Sequence, residues 1–265
     1  MKVRIFSVVG AMLMLTVCSK GDQRTAANAA SRTVDTTAPA AAPAAAATTS
    51  AAGGTISGKI KFTGTAPRNP AIDMSEEAAC KAKYKTTPTE ENVVAGPANA
   101  LANVFVYVKA GVPAGQTFTA PTTPVVLNQD GCRYHPHVFG IMVNQPLEIK
   151  NSDPLLHNIK AIAKKNRPFN ISQPNAGMQT SRTFNAPEVM VNLECNVHGW
   201  MKAFVGVRPD PFFAVSGEDG SFTISGLPPG TYTIEAWHEK LGTQTATVTI
   251  AGTETKTANL TFAAH

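Results

Sequence analysis

The segment ECNVHGWM, residues 194–201, places three potential metal ligands three positions apart: Cys195, His198 and Met201. A thiolate, an imidazole and a thioether together make a soft donor set, which selects copper above harder metals. Gly199 lies inside this segment and offers the backbone freedom to turn. A turn there would bring the three side chains back to one point. The spacing therefore predicts a copper site built on a short loop.

The strand that precedes this loop would carry Cys195 into an apolar core. Alternate residues of a strand share a face, so EVMVNLEC, residues 188–195, has one face made of Val189, Val191, Leu193 and Cys195. The thiol would lie at the end of this apolar row, where water is scarce and a thiolate needs a cation. The alternative is a free cysteine that packs as a small hydrophobic residue.

A trigonal copper site needs a second imidazole, and the segment NSDPLLHNIKA, residues 151–161, offers one. His157 stands at a predicted loop-to-strand junction, after Pro154 and two leucines that would keep water away from a metal. Zinc is the alternative metal, because the same ligands and one further histidine could form a tetrahedral site.

These segments resemble the cupredoxins, the small copper-binding β-sandwiches that include plastocyanin and amicyanin. The resemblance covers residues 125–210. It rests on the pattern from Asn151 to His157 and Asn158, on the stretch RYHPHVFGIMVNQPLEIKNSD, and on Cys-x2-His-x2-Met, which matches the short ligand loop of amicyanin. The resemblance implies a Greek-key sandwich with one type 1 copper ion.

The same resemblance implies a role for each ligand. His157, Cys195 and His198 would hold the copper ion, with Met201 as a weak axial ligand. Asn158 would join the two ligand loops by hydrogen bonds. In cupredoxins the exposed edge of the C-terminal histidine ligand is the usual exit for electrons, which would be His198 in this chain.

Three other histidines need an interpretation. His135 and His137 form a His-x-His pair, which we interpret as solvated loop residues; the alternative is that they support a ligand or act as extra ligands. His238 would approach the site only if two sandwiches pack closely. Multicopper oxidases need four His-x-His pairs and this chain has one, and no nucleophile–base pair or paired carboxylates stand out. We therefore expect an electron carrier and no enzyme.

The rest of the sequence favours strands that could position these ligands. It is 43% hydrophobic and 7% aromatic, contains 20 glycines and 19 prolines, and alternates with a period of two, which is typical of an all-β chain with many turns. Predicted strands lie at TISGKIKFTG, NVFVYVKAG, PLEIKNS, HNIKAIA, RTFNA, EVMVNLEC and AFVGV, followed by SFTISG, TYTIEAWH, GTQTATVTIAG and TKTANLTF.

The C-terminal stretch AVSGEDGSFTISGLPPGTYTIEAWH resembles the carboxypeptidase regulatory-like, transthyretin-like β-sandwich. We therefore expect an all-β chain with a cupredoxin-like Greek-key sandwich at residues 125–210 and a second small β-sandwich at residues 211–265. Residues 55–124 hold N-terminal strands with two interpretations. Either residues 55–112 and 214–263 form one sandwich, or the N-terminal strands extend the cupredoxin.

Residues 1–17 have the pattern of an export signal. Lys2 and Arg4 precede an apolar run that is too short to cross a bilayer core of about 30 Å as a helix, and LTVC resembles the lipobox of bacterial lipoproteins, which implies a lipid anchor on Cys18. Residues 18–54 are rich in alanine, threonine and proline, which predicts a disordered tether. We expect a periplasmic or cell-envelope protein anchored to a membrane, or a secreted one if Cys18 carries no lipid.

Two further cysteines and the charge complete the expectations. Cys80 and Cys132 lie in polar, irregular stretches, and an oxidising periplasm favours a disulfide between them. The net charge of +5 includes no basic run of five or more residues, so nucleic acid is not an expected partner. The expected partners are redox proteins of the envelope, with membrane contact through the N-terminal lipid only. Two other functions stay open: copper binding or delivery without redox turnover, and an envelope interaction module without metal.

Overall fold

The alternating pattern becomes strands throughout residues 53–264, the part of the chain that the computed structural model describes. The predicted export signal, Cys18 and nearly all of the predicted tether lie outside these residues. Within them are seventeen strands, the short helix α1 (Ala78–Lys81) and a 3₁₀ turn (Pro97–Asn99). Neither helix in this part of the chain is long and apolar enough to cross a membrane. The all-β prediction is confirmed.

The strands form four sheets. In chain order they are β1 (Gly54–Thr63), β2 (Phe105–Ala110), β3 (Val125–Asp130), β4 (Arg133–His135), β5 (Val138–Met142), β6 (Leu147–Asn151), β7 (His157–Ile162), β8 (Phe169–Gln173), β9 (Gln179–Arg182), β10 (Glu188–Glu194), β11 (Lys202–Arg208), β12 (Phe213–Val215), β13 (Ser221–Leu227), β14 (Gly230–His238), β15 (Gly242–Ile250), β16 (Thr255–Thr257) and β17 (Leu260–Ala263).

Two of the sheets form what we call the ligand sandwich. One has the order β5-β11-β10-β7-β8 and the other β4-β3-β6-β9. Their inward residues share one hydrophobic core, in which Leu127 and Ile149 of the second sheet join Val191, Leu193 and Val205 of the first. Most neighbouring strands are antiparallel, whereas β5 is parallel to β11 and β3 is parallel to β6.

The other two sheets form what we call the C-terminal sandwich. One has the order β12-β2-β14-β15, and in the other β1 pairs with β13, β16 and β17. Strand β1 is antiparallel to β13 and parallel to both β16 and β17. Residues from both sheets, among them Ile56, Val106, Ile234 and Phe262, share a second hydrophobic core.

The N-terminal strands are divided between the two cores. Strands β1 and β2 pair with strands of the C-terminal segment. The segment between them crosses to the other sandwich, where Ile72, Met74 and Cys80 lie in the core of the ligand sandwich. Residues 55–124 therefore contribute both to the C-terminal sandwich and to the surroundings of the ligands.

The two sandwiches contact each other through two glycines and two phenylalanine rings. Gly140 on β5 and Gly206 on β11 are direct neighbours in the sheet. A Cβ at Gly206 would lie 2.3 Å from the ring of Phe105, and one at Gly140 would lie 2.3 Å from the ring of Phe213. The missing side chains thus leave the space that the two rings fill, which brings the C-terminal sandwich against the outer face of the ligand sandwich.

Two predicted strands differ from the observed ones. RTFNA is not a strand, because β9 ends at Arg182 and Phe184 turns into the core of the ligand sandwich. TKTANLTF is two strands and not one. Residues 258 and 259 belong to neither strand but stay against β1, where the Ala258 amide donates a hydrogen bond of 2.8 Å to the carbonyl of Ser57.

Candidate metal centre

Cys195, His198 and His157 come together in one buried group. The cysteine sulfur and one ring nitrogen of each histidine all lie within 4.8 Å of one another. The two Nδ1 atoms are 3.0 Å apart, and Cys195 Sγ is 3.9 Å from His198 Nδ1. None of the three residues is more than 4% exposed. The arrangement suits a single ion bound by one thiolate and two imidazoles.

Strand β10 delivers Cys195 to this group. Val191 and Leu193 are fully buried on the inward face, and Cys195 follows them. Val189 does not share that face, contrary to the prediction, because the register of β10 against β11 shifts between Glu188 and Val191. Val189 packs against the aromatic cluster between the two sandwiches. The apolar row therefore has three members and not four.

Backbone hydrogen bonds close the ligand loop. The Cys195 amide donates to the Met201 carbonyl at 3.1 Å, and the Met201 amide donates to the His198 carbonyl at 2.9 Å. The His198 amide points at Cys195 Sγ, 3.4 Å away. Gly199 does not adopt a positive φ, and a Cβ there would meet no atom within 4 Å. The expectation that this turn depends on a glycine is therefore wrong.

Asn158 joins the two ligand loops, as the resemblance implied. Its Oδ1 accepts a hydrogen bond of 2.7 Å from the Asn196 amide and lies 3.3 Å from the sulfur of Cys195. Its Nδ2 donates to Asn170 on the neighbouring strand at 2.6 Å, and its carbonyl accepts a hydrogen bond from the Tyr134 hydroxyl. Asn158, which follows His157 in the chain, thus fixes the position of the loop that carries Cys195.

The charges in this group favour a thiolate. Burial raises the pKa of the Cys195 thiol, but hydrogen bonds from His157 and His198 outweigh burial and lower that pKa to about 5. Burial lowers the pKa of the His157 imidazole, but Asp153 and Cys195 outweigh burial and raise it. A deprotonated cysteine is the form that binds metals, so the protein holds Cys195 ready for a cation.

Asp153 is the residue that sequence reasoning missed. Its side chain is fully buried, and its Oδ2 lies 2.9 Å from His157 Nε2, on the ring edge opposite the Nδ1 that faces His198. It also accepts hydrogen bonds from the amides of Gly131 and Cys132 and forms an ion pair with Lys83 at 2.6 Å. Burial alone would raise the pKa of the Asp153 carboxyl, but these hydrogen bonds hold it well below its usual range.

A local turn orients Asp153. The Asn151 Oδ1 accepts a hydrogen bond of 2.9 Å from the Asp153 amide, and the Asn151 Nδ2 donates to the Leu155 carbonyl at 2.9 Å. Asparagine commonly forms such turns with the backbone two residues on. A carboxylate four residues before a candidate histidine ligand was the available signal, and it was too weak to be used without the fold.

The His198 ring is covered, which corrects the expectation of an exposed electron exit. We call residues 77–83 the cap; they include α1 and lie over the outer edge of this ring. His198 Nε2 is 3.7 Å from Cys80 Sγ and 3.7 Å from Glu77 Oε2, and the residue is only 2% exposed. Cys80 is bonded to Cys132 in a disulfide, so the cap is covalently attached beside the ligands.

Trp200 also packs against the covered ring. Its ring centroid lies 5.2 Å from that of His198, and its Nε1–H donates to the Cys132 carbonyl at 2.9 Å. Met201, the expected axial ligand, is 1% exposed and lies in the same core at the end of the loop. Cys132 of the disulfide and the residues of the ligand loop therefore pack directly together.

Among residues 53–264, none of the other candidate histidines joins the group of three. His135 is exposed. His137 is buried, contrary to the expectation of a solvated residue, and contacts the Glu239 carboxylate and the Lys202 carbonyl. His238 Nδ1 accepts hydrogen bonds from backbone amides in the turn that follows β14. His137 and His238 therefore make their contacts elsewhere in the two sandwiches, and none of the three histidines lies in the group.

Comparisons with known proteins give two kinds of similarity. Residues 205–263 match the family model of the carboxypeptidase regulatory-like domain, and no curated protein matches the chain. One similar solved structure is the Cu-containing nitrite reductase (NirK) from Thermus scotoductus SA-01, with 23% identity, a TM-score of 0.32, and coverage of 38% of this chain and 26% of that chain. This chain thus spans about a quarter of the length of the reductase.

Two small proteins are similar over nearly their whole length. The purple cupredoxin from Nitrosopumilus maritimus has 22% identity and a TM-score of 0.27, with coverage of 31% of this chain and 97% of that chain. A methionine-to-alanine mutant of amicyanin in its Cu(I) form has 17% identity and a TM-score of 0.29, with coverage of 39% and 98%. The comparisons therefore return the two families that the sequence resembles: residues 205–263 match the carboxypeptidase regulatory-like domain, and the small solved structures are cupredoxins.

Proposed function

We propose that His157, Cys195 and His198 bind one type 1 copper ion, with Met201 as the axial ligand, and that the protein transfers single electrons between redox proteins of the cell envelope. The observation that carries this proposal is the buried Cys195 sulfur grouped with the Nδ1 atoms of two imidazoles. A thiolate with two imidazoles and a weak axial thioether is the donor set of blue-copper sites. When bound, copper would supply a one-electron couple between Cu(I) and Cu(II).

The residues of the chain would keep the site rigid and dry. Asn158 and the backbone hydrogen bonds of the ligand loop fix the positions of Cys195 and His198. The cap and Trp200 exclude water from the outer side of the His198 ring. Ligands that are held rigidly would move little when the copper changes oxidation state, which favours fast electron exchange. The apolar surroundings would tune the reduction potential.

The burial of the ligands favours an electron carrier over the alternatives. A protein that delivers copper needs donors that a partner can reach, whereas these three residues are at most 4% exposed. Structural zinc prefers four nitrogen, sulfur or carboxylate ligands, whereas the group in the described residues has three such ligands, His157, Cys195 and His198. A second candidate group contains Cys132, Asp153 and His157, but the Cys132 sulfur is in the disulfide and offers no thiolate. An interaction module without metal would leave the buried charged group unexplained.

Compartment, anchor and partners belong to the same proposal. A disulfide forms and persists in oxidising compartments, which agrees with export and with a lipid anchor on Cys18. We propose that the partners are envelope redox proteins, that membrane contact occurs through the lipid, and that the protein has no catalytic activity of its own. The C-terminal sandwich would serve as a scaffold or a docking surface.

The visible absorption spectrum of the purified protein after Cu(II) addition tests the proposal. We expect an intense band from charge transfer between Cys195 and Cu(II), lost in Cys195→Ser and in His157→Gln. His135→Gln is the matched control, because His135 is exposed and outside the group, and it should retain the band. Zinc binding without such a band would support a zinc site, and folded protein that takes up no metal would support the interaction module.

A further inference from the structure

We propose that Asp153 and Lys83 form a charge pair that acts through His157 to set the balance between the two oxidation states at the proposed copper site. This inference rests on the proposed function and goes beyond it, because it assigns the tuning to two residues outside the ligand set. Both are positioning residues, since neither is expected to contact the metal.

Four polar groups hold the Asp153 carboxylate. One carboxylate oxygen contacts His157 Nε2 at 2.9 Å and the Cys132 amide at 2.7 Å, and the other contacts the Gly131 amide at 3.0 Å and Lys83 Nζ at 2.6 Å. The carboxylate therefore fixes both the tautomer and the orientation of the His157 ring. A carboxylate bonded to a ligand histidine also makes the ring a better donor.

Lys83 opposes this carboxylate from the cap. Its ammonium contacts the carboxylate oxygen that His157 does not use, and its side chain is 29% exposed whereas that of Asp153 is fully buried. The cap also places Glu77 and Cys80 on His198. The cap therefore contacts the outer edge of His198. It also supplies the counter-charge to Asp153, the partner of His157.

The two charges have opposite effects on the metal. The oxidised ion carries one more positive charge than the reduced ion, so a buried carboxylate favours the oxidised ion and a nearby ammonium favours the reduced one. The His157 ring transmits both effects because its Nε2 contacts the carboxylate and its Nδ1 faces the proposed copper site. Removal of the Asp153 charge and removal of the Lys83 charge should therefore shift the reduction potential in opposite directions.

Reduction potentials of the copper-loaded full chain test this inference. Asp153→Asn keeps a hydrogen-bond acceptor for His157 but removes the charge, so the potential should rise, whereas Lys83→Met leaves the carboxylate without its counter-ion, so the potential should fall. Loss of an outer partner typically changes metal affinity by about 10-fold or more, and a 10-fold change in the ratio of Cu(II) to Cu(I) affinity corresponds to about 59 mV for one electron.

Three controls separate charge from packing. Lys83→Arg keeps the charge and should keep the potential close to that of the wild type. Asp153→Asn with Lys83→Met removes both charges and should give a smaller shift than either single substitution. Glu77→Gln removes a negative charge beside the other histidine, but its side chain is 38% exposed, so solvent screening should make its shift smaller than that of Asp153→Asn.

The outcomes distinguish this inference from the proposed function. If the wild-type protein shows no copper–thiolate band, the proposed function fails and this inference fails with it. If the wild type shows the band but the two single variants shift the potential in the same direction, or not at all, only this inference is overturned. Thermal melting of the metal-free variants checks that each remains folded, and a purely structural role would lower their melting temperatures without opposite shifts in potential.

Discussion

Gly206→Ala should destabilise the contact between the two sandwiches, because the new Cβ would occupy space that Phe105 now fills. That Cβ would lie 2.3 Å from two carbons of the Phe105 ring, whereas ordinary contacts begin at 3.4 Å, so the ring or the strand must move by about 1.1 Å. Phe105 is fully buried and packs against the rings of Tyr107 and Phe213, with centroids 5.6 Å and 5.7 Å away. The ring therefore has little freedom to move.

The expected loss is about 2–3 kcal/mol in the free energy of unfolding, the upper part of the range for overpacked sites. Urea unfolding measures it, and an unchanged dependence on urea concentration would show that the transition itself is the same. Gly252→Ala is the matched control, since a Cβ there meets no atom within 4 Å and its φ is not positive. That variant should stay within about 0.5 kcal/mol of the wild type.

A second substitution tests the cause of the loss. In a Phe105→Leu background the smaller side chain leaves room for the new Cβ, so Gly206→Ala should cost less than it does in the wild type. The difference between the two backgrounds is the coupling energy of the pair. Equal losses for Gly206→Ala and Gly252→Ala, or no coupling with Phe105, would refute the account of how the sandwiches dock.

Three further predictions concern the ligand group and its supports. Asn158→Ala should lower the free energy of unfolding by about 1–3 kcal/mol because it leaves buried partners without an acceptor, and it should alter the copper–thiolate band; Asn170→Ala removes one contact of the same side chain and should leave the band unchanged. Cys80→Ser together with Cys132→Ser should cost roughly 4 kcal/mol in urea unfolding, as expected for a loop closed over a separation of 52 residues. Burial raises the pKa of Glu188, but hydrogen bonds from backbone amides that follow β7 outweigh burial and lower it. The stabilisation that ionised Glu188 gives the fold should therefore be present above the unfolded pKa of about 4.3, and it should disappear as the pH falls through the pKa of Glu188 in the folded protein. Glu188→Gln should accordingly be less stable than the wild type at neutral pH and equally stable in strong acid.

Each of these has a result that would contradict it. An unchanged band in Asn158→Ala would mean that the two ligand loops are positioned independently. Equal stability of the oxidised wild type and the double serine variant would mean that the cap is held by packing alone. A constant difference between Glu188→Gln and the wild type across the acid range would show that charge on Glu188 does not contribute.

The ligand group was largely predictable from the sequence because its signals are local. Cys195 stands two positions after Leu193, directly after β10, and His198 and Met201 follow within a single short loop, so periodicity and spacing predicted these residues. His157 was added because a trigonal site needs a second imidazole and because the resemblance to cupredoxins implied it. Most of the predicted strands were found for the same reason, but RTFNA was wrong, TKTANLTF is two strands, and β3, β4, β5, β8 and β12 were not among the predicted strands. The position of Val189 was also not predictable, since an irregular register in β10 depends on the neighbouring strand and leaves no mark in the alternation.

The surroundings of the ligands were not predictable because they depend on contacts between distant segments. Cys80 and His198 are separated by 118 positions, and no periodicity connects α1 with a loop that far along the chain. The resemblance to cupredoxins began at residue 125 and could not include the cap, which is why His198 was expected to be exposed. Asp153 is held beside His157 only when Lys83 and the amides of Gly131 and Cys132 surround its carboxylate.

The position of β1 has a consequence for the order in which the protein is made. All three neighbours of β1, namely β13, β16 and β17, lie in the last 45 residues of the sequence. A chain emerging from the ribosome therefore carries β1 without any of these three partner strands while the whole ligand sandwich is being synthesised. Unpaired strands can pair with other chains, so nascent chains that stop before β13 should be the forms most exposed to aggregation and most dependent on a chaperone.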